Sequence, residues 1–307
     1  MAVNDEKMLY NELLRERRKD RWFKGLKSLV WILVIVWGIS AFAPDSIPDN
    51  KPALADDYAN LVDLEGTILS DSKTASAEVI RDALEKAFSD ESAKGVVIRV
   101  NSPGGSPVQA DLIRRDIQRL KTEYDKKVVV VGEEMLTSGA YMASLSADKI
   151  YAHPSTLVGS IGVRMDGFGA VELIDKVGVQ RRVFHAGENK VGVDPFLPVT
   201  EDTKSHIQSI LADIHSQFIN SVRQSRADKL ADNDELMSGQ FWTGQKSIEL
   251  GLIDELGTVY DAIENEFGVH HYVAVEPDRN VLDRLAMFTS SIKSMFVTTS
   301  APVRAQY

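Results

Sequence analysis

Short apolar runs alternate along this chain with longer stretches in which apolar residues recur every three or four positions. Residues 61–64, 95–100, 127–132, 149–152 and 181–184 read as strands, and residues 75–89, 109–124, 139–147 and 172–177 as helices. Val96-Val97-Ile98 and Val128-Val129-Val130-Val131 show no polar alternation, which suits strands covered on both faces. Strand and helix in turn predict an α/β fold with a largely parallel sheet. A longer helix is predicted over residues 200–229, with Thr200 as its N-cap and Glu201 and Asp202 in its first turn. Its stripe of Ile207, Ile210, Leu211, Ile214, Phe218 and Val222 is expected to pack on the core, a subunit contact being the second reading.

A different pattern occupies the N-terminus, where residues 29–43 are apolar and uncharged. Adding Trp22, Phe23 and Leu26 extends the stretch to residues 22–43, about 33 Å as a helix, enough to cross a bilayer core of roughly 30 Å. Lys24 and Lys27 are long enough to snorkel to the headgroups. Lys7, Arg15, Arg17, Arg18, Lys19 and Arg21 precede the span, whereas Asp45, Asp49, Asp56 and Asp57 follow it with only Lys51 among them. This bias places the N-terminus in the cytoplasm and the rest of the chain outside. Ala41-Phe42-Ala43 also resembles a processing site, so a cleavable signal is the rival; the long charged leader and Pro44 favour an uncleaved anchor. The expected divisions are a basic cytoplasmic segment (1–21), a transmembrane anchor (22–43), an extended linker (44–56), a folded domain (57–275) and a weakly amphipathic tail (276–307).

The composition, 44% hydrophobic and 26% charged, is that of a folded protein, and the net charge of −10 without a basic face argues against a nucleic-acid partner. With no cysteine, a thiol nucleophile, a Cys-based zinc site and disulfides are excluded. No His-Glu-x-x-His or comparable cluster occurs, so neither a metal nor a cofactor is expected. Two strands break at small residues: Asn101-Ser102-Pro103-Gly104-Gly105 follows one, and Thr137-Ser138-Gly139-Ala140-Tyr141 the other. Such breaks expose backbone N–H groups and a hydroxyl, which is what acyl transfer requires of a nucleophile and its oxyanion donors. Taken singly, Ser138 also fits an ordinary N-cap, and Pro103-Gly104 an ordinary turn. None of the histidines lies in a segment resembling a catalytic-histidine motif; His206 and His215 on the long helix are expected to be exposed, and His185 is the one worth testing.

These two segments, followed in order by Gly159-Ser160-Ile161-Gly162-Val163, Gly187-Glu188-Asn189-Lys190, Trp242-Thr243-Gly244-Gln245-Lys246 and Leu250-Gly251-Leu252-Ile253-Asp254, resemble the signal peptide peptidase A family in its short, membrane-anchored form. The resemblance covers roughly residues 57–270 and implies a serine-lysine peptidase of Clp protease/crotonase-like fold, built of repeated ββα units. It implies Ser138 as nucleophile, Lys190 as general base and Ser160 as the residue orienting that lysine. Gly139, with Gly105 or Gly104, would supply oxyanion N–H groups, and Ala140 departs from the glycine many relatives carry. A lysine acts as a base only as the neutral amine, which burial favours, and Val191, Gly192, Val193 and Phe196 suit such a pocket. Glu188 would oppose that shift if close in space.

The resulting expectation is an endopeptidase on the outer face of a bacterial cytoplasmic membrane, with its catalytic domain periplasmic or extracytoplasmic. Its implied substrates are cleaved signal peptides and other apolar peptides, and by analogy it forms a ring-like homo-oligomer. The alternatives are a crotonase-type acyl-CoA enzyme, which the anchor and the Ser138 and Lys190 match disfavour, and a non-catalytic membrane scaffold.

Overall fold

The computed structural model describes residues 57–277, together with Lys27, Val30 and Trp31. The chain divides into two compact units, Met1–Ala55 and Asp56–Tyr307. In the first, Lys27, Val30 and Trp31 are helical. Among the described residues no helix is long and apolar enough to cross a membrane. The expected basic segment, the anchor apart from those three residues, the whole of the linker and the tail beyond residue 277 lie outside the described residues.

The second unit begins with β1 (Tyr58–Glu65), α1 (Ala77–Ser89), β2 (Ala93–Ser102), α2 (Pro107–Tyr124), β3 (Val128–Thr137), α3 (Gly139–Ser144), β4 (Lys149–Ala152) and β5 (Leu157–Gly159). It continues through α4 (Val171–Lys176), α5 (Glu201–Arg226), β6 (Phe241–Thr243), α6 (Gly244–Glu249), β7 (Glu255–Leu256), α7 (Val259–Phe267) and β8 (His271–Ala274). The sheet order is β6-β5-β3-β2-β1-β8, with β4 pairing both β3 and β7. The named pairings are parallel apart from β5 with β6, so the sheet is mixed.

Successive residues of a strand point to opposite faces, and here both faces are covered. Val62, Leu64, Val96, Ile98, Val128 and Val130 join the core that holds α1, α2 and α3. Their neighbours Ala59, Leu61, Val97, Val129 and Val131 pack with Val259, Ala262 and Ile263 of α7. That explains the unbroken apolar runs of β2 and β3. Ser106 caps α2 by accepting from Gln109 N, with Pro107 in the first turn, so the helix starts two residues before the periodic pattern does.

Two expectations are corrected in the segment that follows β5. Residues 181–184 form no strand; they belong to a largely exposed arm over residues 163–200, in which Phe168 is 91% and Phe184 97% exposed. The arm is braced by its own contacts, Ala170 N donating to Pro195 O at 2.7 Å and Arg181 to Asp194 at 2.9 Å, and gives residues 181–184 no strand partner. In α5, which Thr200 caps as expected, Phe218 and Val222 are buried whereas Ile210 is 45% exposed. Core packing thus accounts for the C-terminal half of that stripe alone.

In the last turn of α7, Glu266 receives hydrogen bonds from Lys127, from Tyr151 Oη at 2.6 Å and from Lys149 at 2.8 Å, with its side chain only 4% exposed. Burial pushes its carboxyl up, but these donors outweigh burial and hold it down to about 2. A depressed carboxyl stabilises the fold above the ordinary glutamate range near pH 4.5, and this is lost as pH falls towards 2. Glu266→Gln is expected to cost about 3 kcal/mol at pH 7. Denaturant unfolding should show that the gap from wild type closes as the pH is lowered through that window.

Candidate active site

The site is built where β2 and β3 end. Val100 pairs with Gly132, yet Ser102 pairs with Leu136, so β3 holds two extra residues in the ladder. Carried forward, that register sets Gly104 against Ser138. A Cβ on Gly104 would lie 2.8 Å from Ser138 Cβ and 2.6 Å from Gly139 N, and φ there is +92°, so only glycine fits.

Ser138 occupies the turn from β3 into α3 with φ +52° and ψ −122°, a conformation costly for a residue with a Cβ. Its backbone is pinned at both ends: Ser138 N donates to Gly159 O at 2.8 Å, and Ser138 O accepts from Met142 N at 3.0 Å. Its side chain makes no capping bond to α3, which removes the ordinary N-cap reading and leaves the hydroxyl, on a half-buried residue, for other work. The six-residue α3 is entirely buried. Tyr141 Oη donates to Leu252 O at 2.8 Å, and burial pushes its phenol far up, so it stays a neutral donor. Ser225 Oγ holds Leu145 O just beyond the helix at 2.6 Å.

The glycine loop is held by residues that pattern alone did not single out. Ile68 N donates to Gly104 O at 2.9 Å, Ser106 N donates to Ile68 O at 2.8 Å, and Gly104 N donates to Ser102 Oγ at 3.1 Å. Gly105 N–H lies outside these bonds, 3.1 Å from the place a Cβ on Gly139 would take. Gly139 opens α3, where an N–H has no intrahelical acceptor. The Gly105 and Gly139 peptides are therefore gathered at Ser138, and two such donors beside a nucleophile are what a tetrahedral oxyanion requires.

Pairing of β5 with the end of β3 brings Ser160 to the same corner. It too has a positive φ, +53°, and its N–H donates to Gln240 O at 2.7 Å. Gly159, at φ +102°, lies against the Trp242 ring. His215 is half-buried rather than exposed, with Nε2 3.0 Å from Ile161 O. The spacing Leu211, His215, Phe218, Val222 repeats at four, three and four, a signal that could have placed it on the inner face of α5.

Lys190 lies elsewhere, in a turn of the exposed arm, with its N–H donating to Gly187 O at 3.2 Å. The apolar pocket expected around it is not formed within one chain, because Val193 and Phe196 are exposed. Glu188 is exposed as well, and His185 turns Nδ1 to Gly187 O at 3.0 Å. The fold thus gathers Ser138, Gly104, Gly105, Gly139 and Ser160, and leaves Lys190 and His185 on the arm. A cavity of about 460 Å³ lined by Glu133, Glu134, His153 and Thr258 includes none of these residues.

The sequence profile of peptidase family S49 matches residues 121–266, a span that begins in α2 and includes Ser138, Ser160 and Lys190. Over just under half of its length, then, the chain is similar to peptidase family S49. It is 36% identical over 183 residues to a protein named putative protease MJ0651 from Methanocaldococcus jannaschii, covering 60% of this chain and 57% of that one. It is 30% identical over 182 residues to a putative signal peptide peptidase SppA from Enterococcus faecium, covering 59% and 53%. A protein named Na(+)/H(+) antiporter NhaA from Brucella melitensis is 43% identical over 229 residues, 73% of this chain but 31% of that one. The chain therefore spans under a third of the antiporter and just over half of each of the other two.

Gly104→Ala puts a methyl group between Ser138 and Gly139 N. Peptidase activity is expected to fall ~100-fold or more, the scale of losing one oxyanion donor, while circular dichroism shows a folded protein with a lowered melting temperature.

Proposed function

We propose that this chain is a serine peptidase of family S49, a membrane-tethered endopeptidase that degrades cleaved signal peptides with a Ser138/Lys190 dyad, on a Clp protease/crotonase-like scaffold. The observation that carries the reading is the strained backbone at Ser138, whose hydroxyl makes no capping bond, in the corner where the Gly104-Gly105 loop packs against Ser138 and Gly139. Ser138 Oγ attacks the scissile carbonyl and Lys190 Nζ takes its proton. The N–H groups of Gly105 and Gly139 hold the oxyanion, and the lysine then protonates the leaving amine. Water repeats the cycle on the acyl-enzyme. Between the two candidate glycines the choice falls on Gly105, because Gly104 N–H is already bonded to Ser102 Oγ.

The arm supplies the base, and in the oligomer a second copy covers it. Met165, Phe168, Leu173, Val177, Phe184 and Val193 leave its apolar surface exposed in the single chain. The same contact takes water away from Lys190. An uncleaved N-terminal anchor on the outer face of a bacterial cytoplasmic membrane keeps the domain beside apolar peptides released into the bilayer.

On a quenched fluorescent signal-sequence peptide, Ser138→Ala and Lys190→Ala are each expected to lower kcat at least ~1,000-fold with folding intact. Wild-type activity should rise with pH along a limb set by a neutral base; retained cleavage by Lys190→Ala assigns the base elsewhere. The paired change Phe168→Asp and Phe184→Asp is expected to convert the oligomer to monomers in sedimentation and remove activity with it. An active monomer rejects the role given to the arm.

A further inference from the structure

We infer that His215 is a positioning residue for the reaction, holding the segment of Ser160 in the shape that presents its hydroxyl to the base. The inference rests on the Ser138/Lys190 reading above and adds a residue to it.

Residues 159 and 160 both have positive φ, +102° and +53°, and the second carries a side chain. Two successive turns of this kind persist only where their surroundings over-determine them. Three hydrogen bonds do so here. Gly159 O accepts from Ser138 N at 2.8 Å, Ser160 N donates to Gln240 O at 2.7 Å, and Ile161 O faces His215 Nε2 at 3.0 Å. The first ties the segment to the nucleophile and the second to the strand side, where Trp242 packs on Gly159. The third comes from a side chain, and from α5, the helix that follows directly on the arm carrying Lys190.

A carbonyl oxygen only accepts, so Nε2 must carry the proton, and both the neutral Nε2–H tautomer and the imidazolium can donate. The ring is therefore a brace whose hydrogen bond does not require a charge. Ile161 is fully buried, which makes an unpaired carbonyl there costly. On the other side Gly162 meets Gly239, with a Cβ on Gly162 only 3.0 Å from Gly239 Cα, so the segment has no room to relax that way. Without His215 the Ile161 carbonyl must turn to find another donor, and the peptide that turns is one residue from Ser160. The hydrogen bond of His215 goes to Ile161 O and not to Ser138, so its loss should act on the rate of the chemical step and spare binding.

The test compares the full chain in detergent with its His215→Ala, His215→Gln and Lys190→Ala variants on the same signal-sequence peptide. His215→Ala is expected to lower kcat about tenfold with KM within twofold of wild type. His215→Gln, whose side-chain amide can donate to Ile161 O, should recover most of that loss. Wild-type kcat in His215→Ala, a loss carried by KM, or equal loss in the Ala and Gln variants each overturns the inference. If His215→Ala does not fold, His215→Leu fills the space without a donor, and the same outcomes are read from it against His215→Gln. Activity retained by Lys190→Ala overturns the underlying dyad; activity lost by Lys190→Ala but kept by His215→Ala overturns the brace alone.

Discussion

The site depends on the two-residue shift of register between β2 and β3. Without it Gly104 would face a residue inside β3, and the two strand ends would pass each other with nothing between them. With it, the glycine loop after β2 and the start of α3 after β3 meet edge to edge, and Ser138 is fixed between them. Parallel pairing holds these ends firmly because β2 and β3 are central and packed on both faces. The strain at Ser138 is carried by that frame and by the buried anchoring of α3 through Tyr141.

The same frame explains why the arm differs in character. Residues 57–162 are held by strand pairing and a continuous core, whereas residues 163–200 make few contacts beyond their own bracing and expose large apolar side chains. One polypeptide thus presents Ser138 and the Gly105 and Gly139 peptides on elements held by the core, and a lysine on a projection whose apolar surface is uncovered. In our account the second feature completes the first only when another copy covers it, which couples assembly to activity.

Much of the fold was legible because β2 and β3 are buried on both faces and therefore read as unbroken apolar runs, and because Thr200 caps its helix with ordinary chemistry. Gly104, Gly105, Ser138 and Gly139 were legible as small residues at strand ends, but the shift that unites them was not, since register depends on pairing between distant segments. Residues 181–184 misled because Val183 and Phe184 have strand propensity while strand formation needs a partner edge. His215 was hidden by its polarity, although its place in the stripe of α5 was visible. Ile68 carried no signal, because its role is made by backbone atoms alone.

The most direct test of the central claim is covalent. The full chain would be treated with a fluorophosphonate, digested, and read by mass spectrometry for the labelled residue. The account predicts one rapidly labelled site, Ser138, with labelling slowed by orders of magnitude in Lys190→Ala. Labelling at another serine, or unchanged labelling of Ser138 without Lys190, would contradict it.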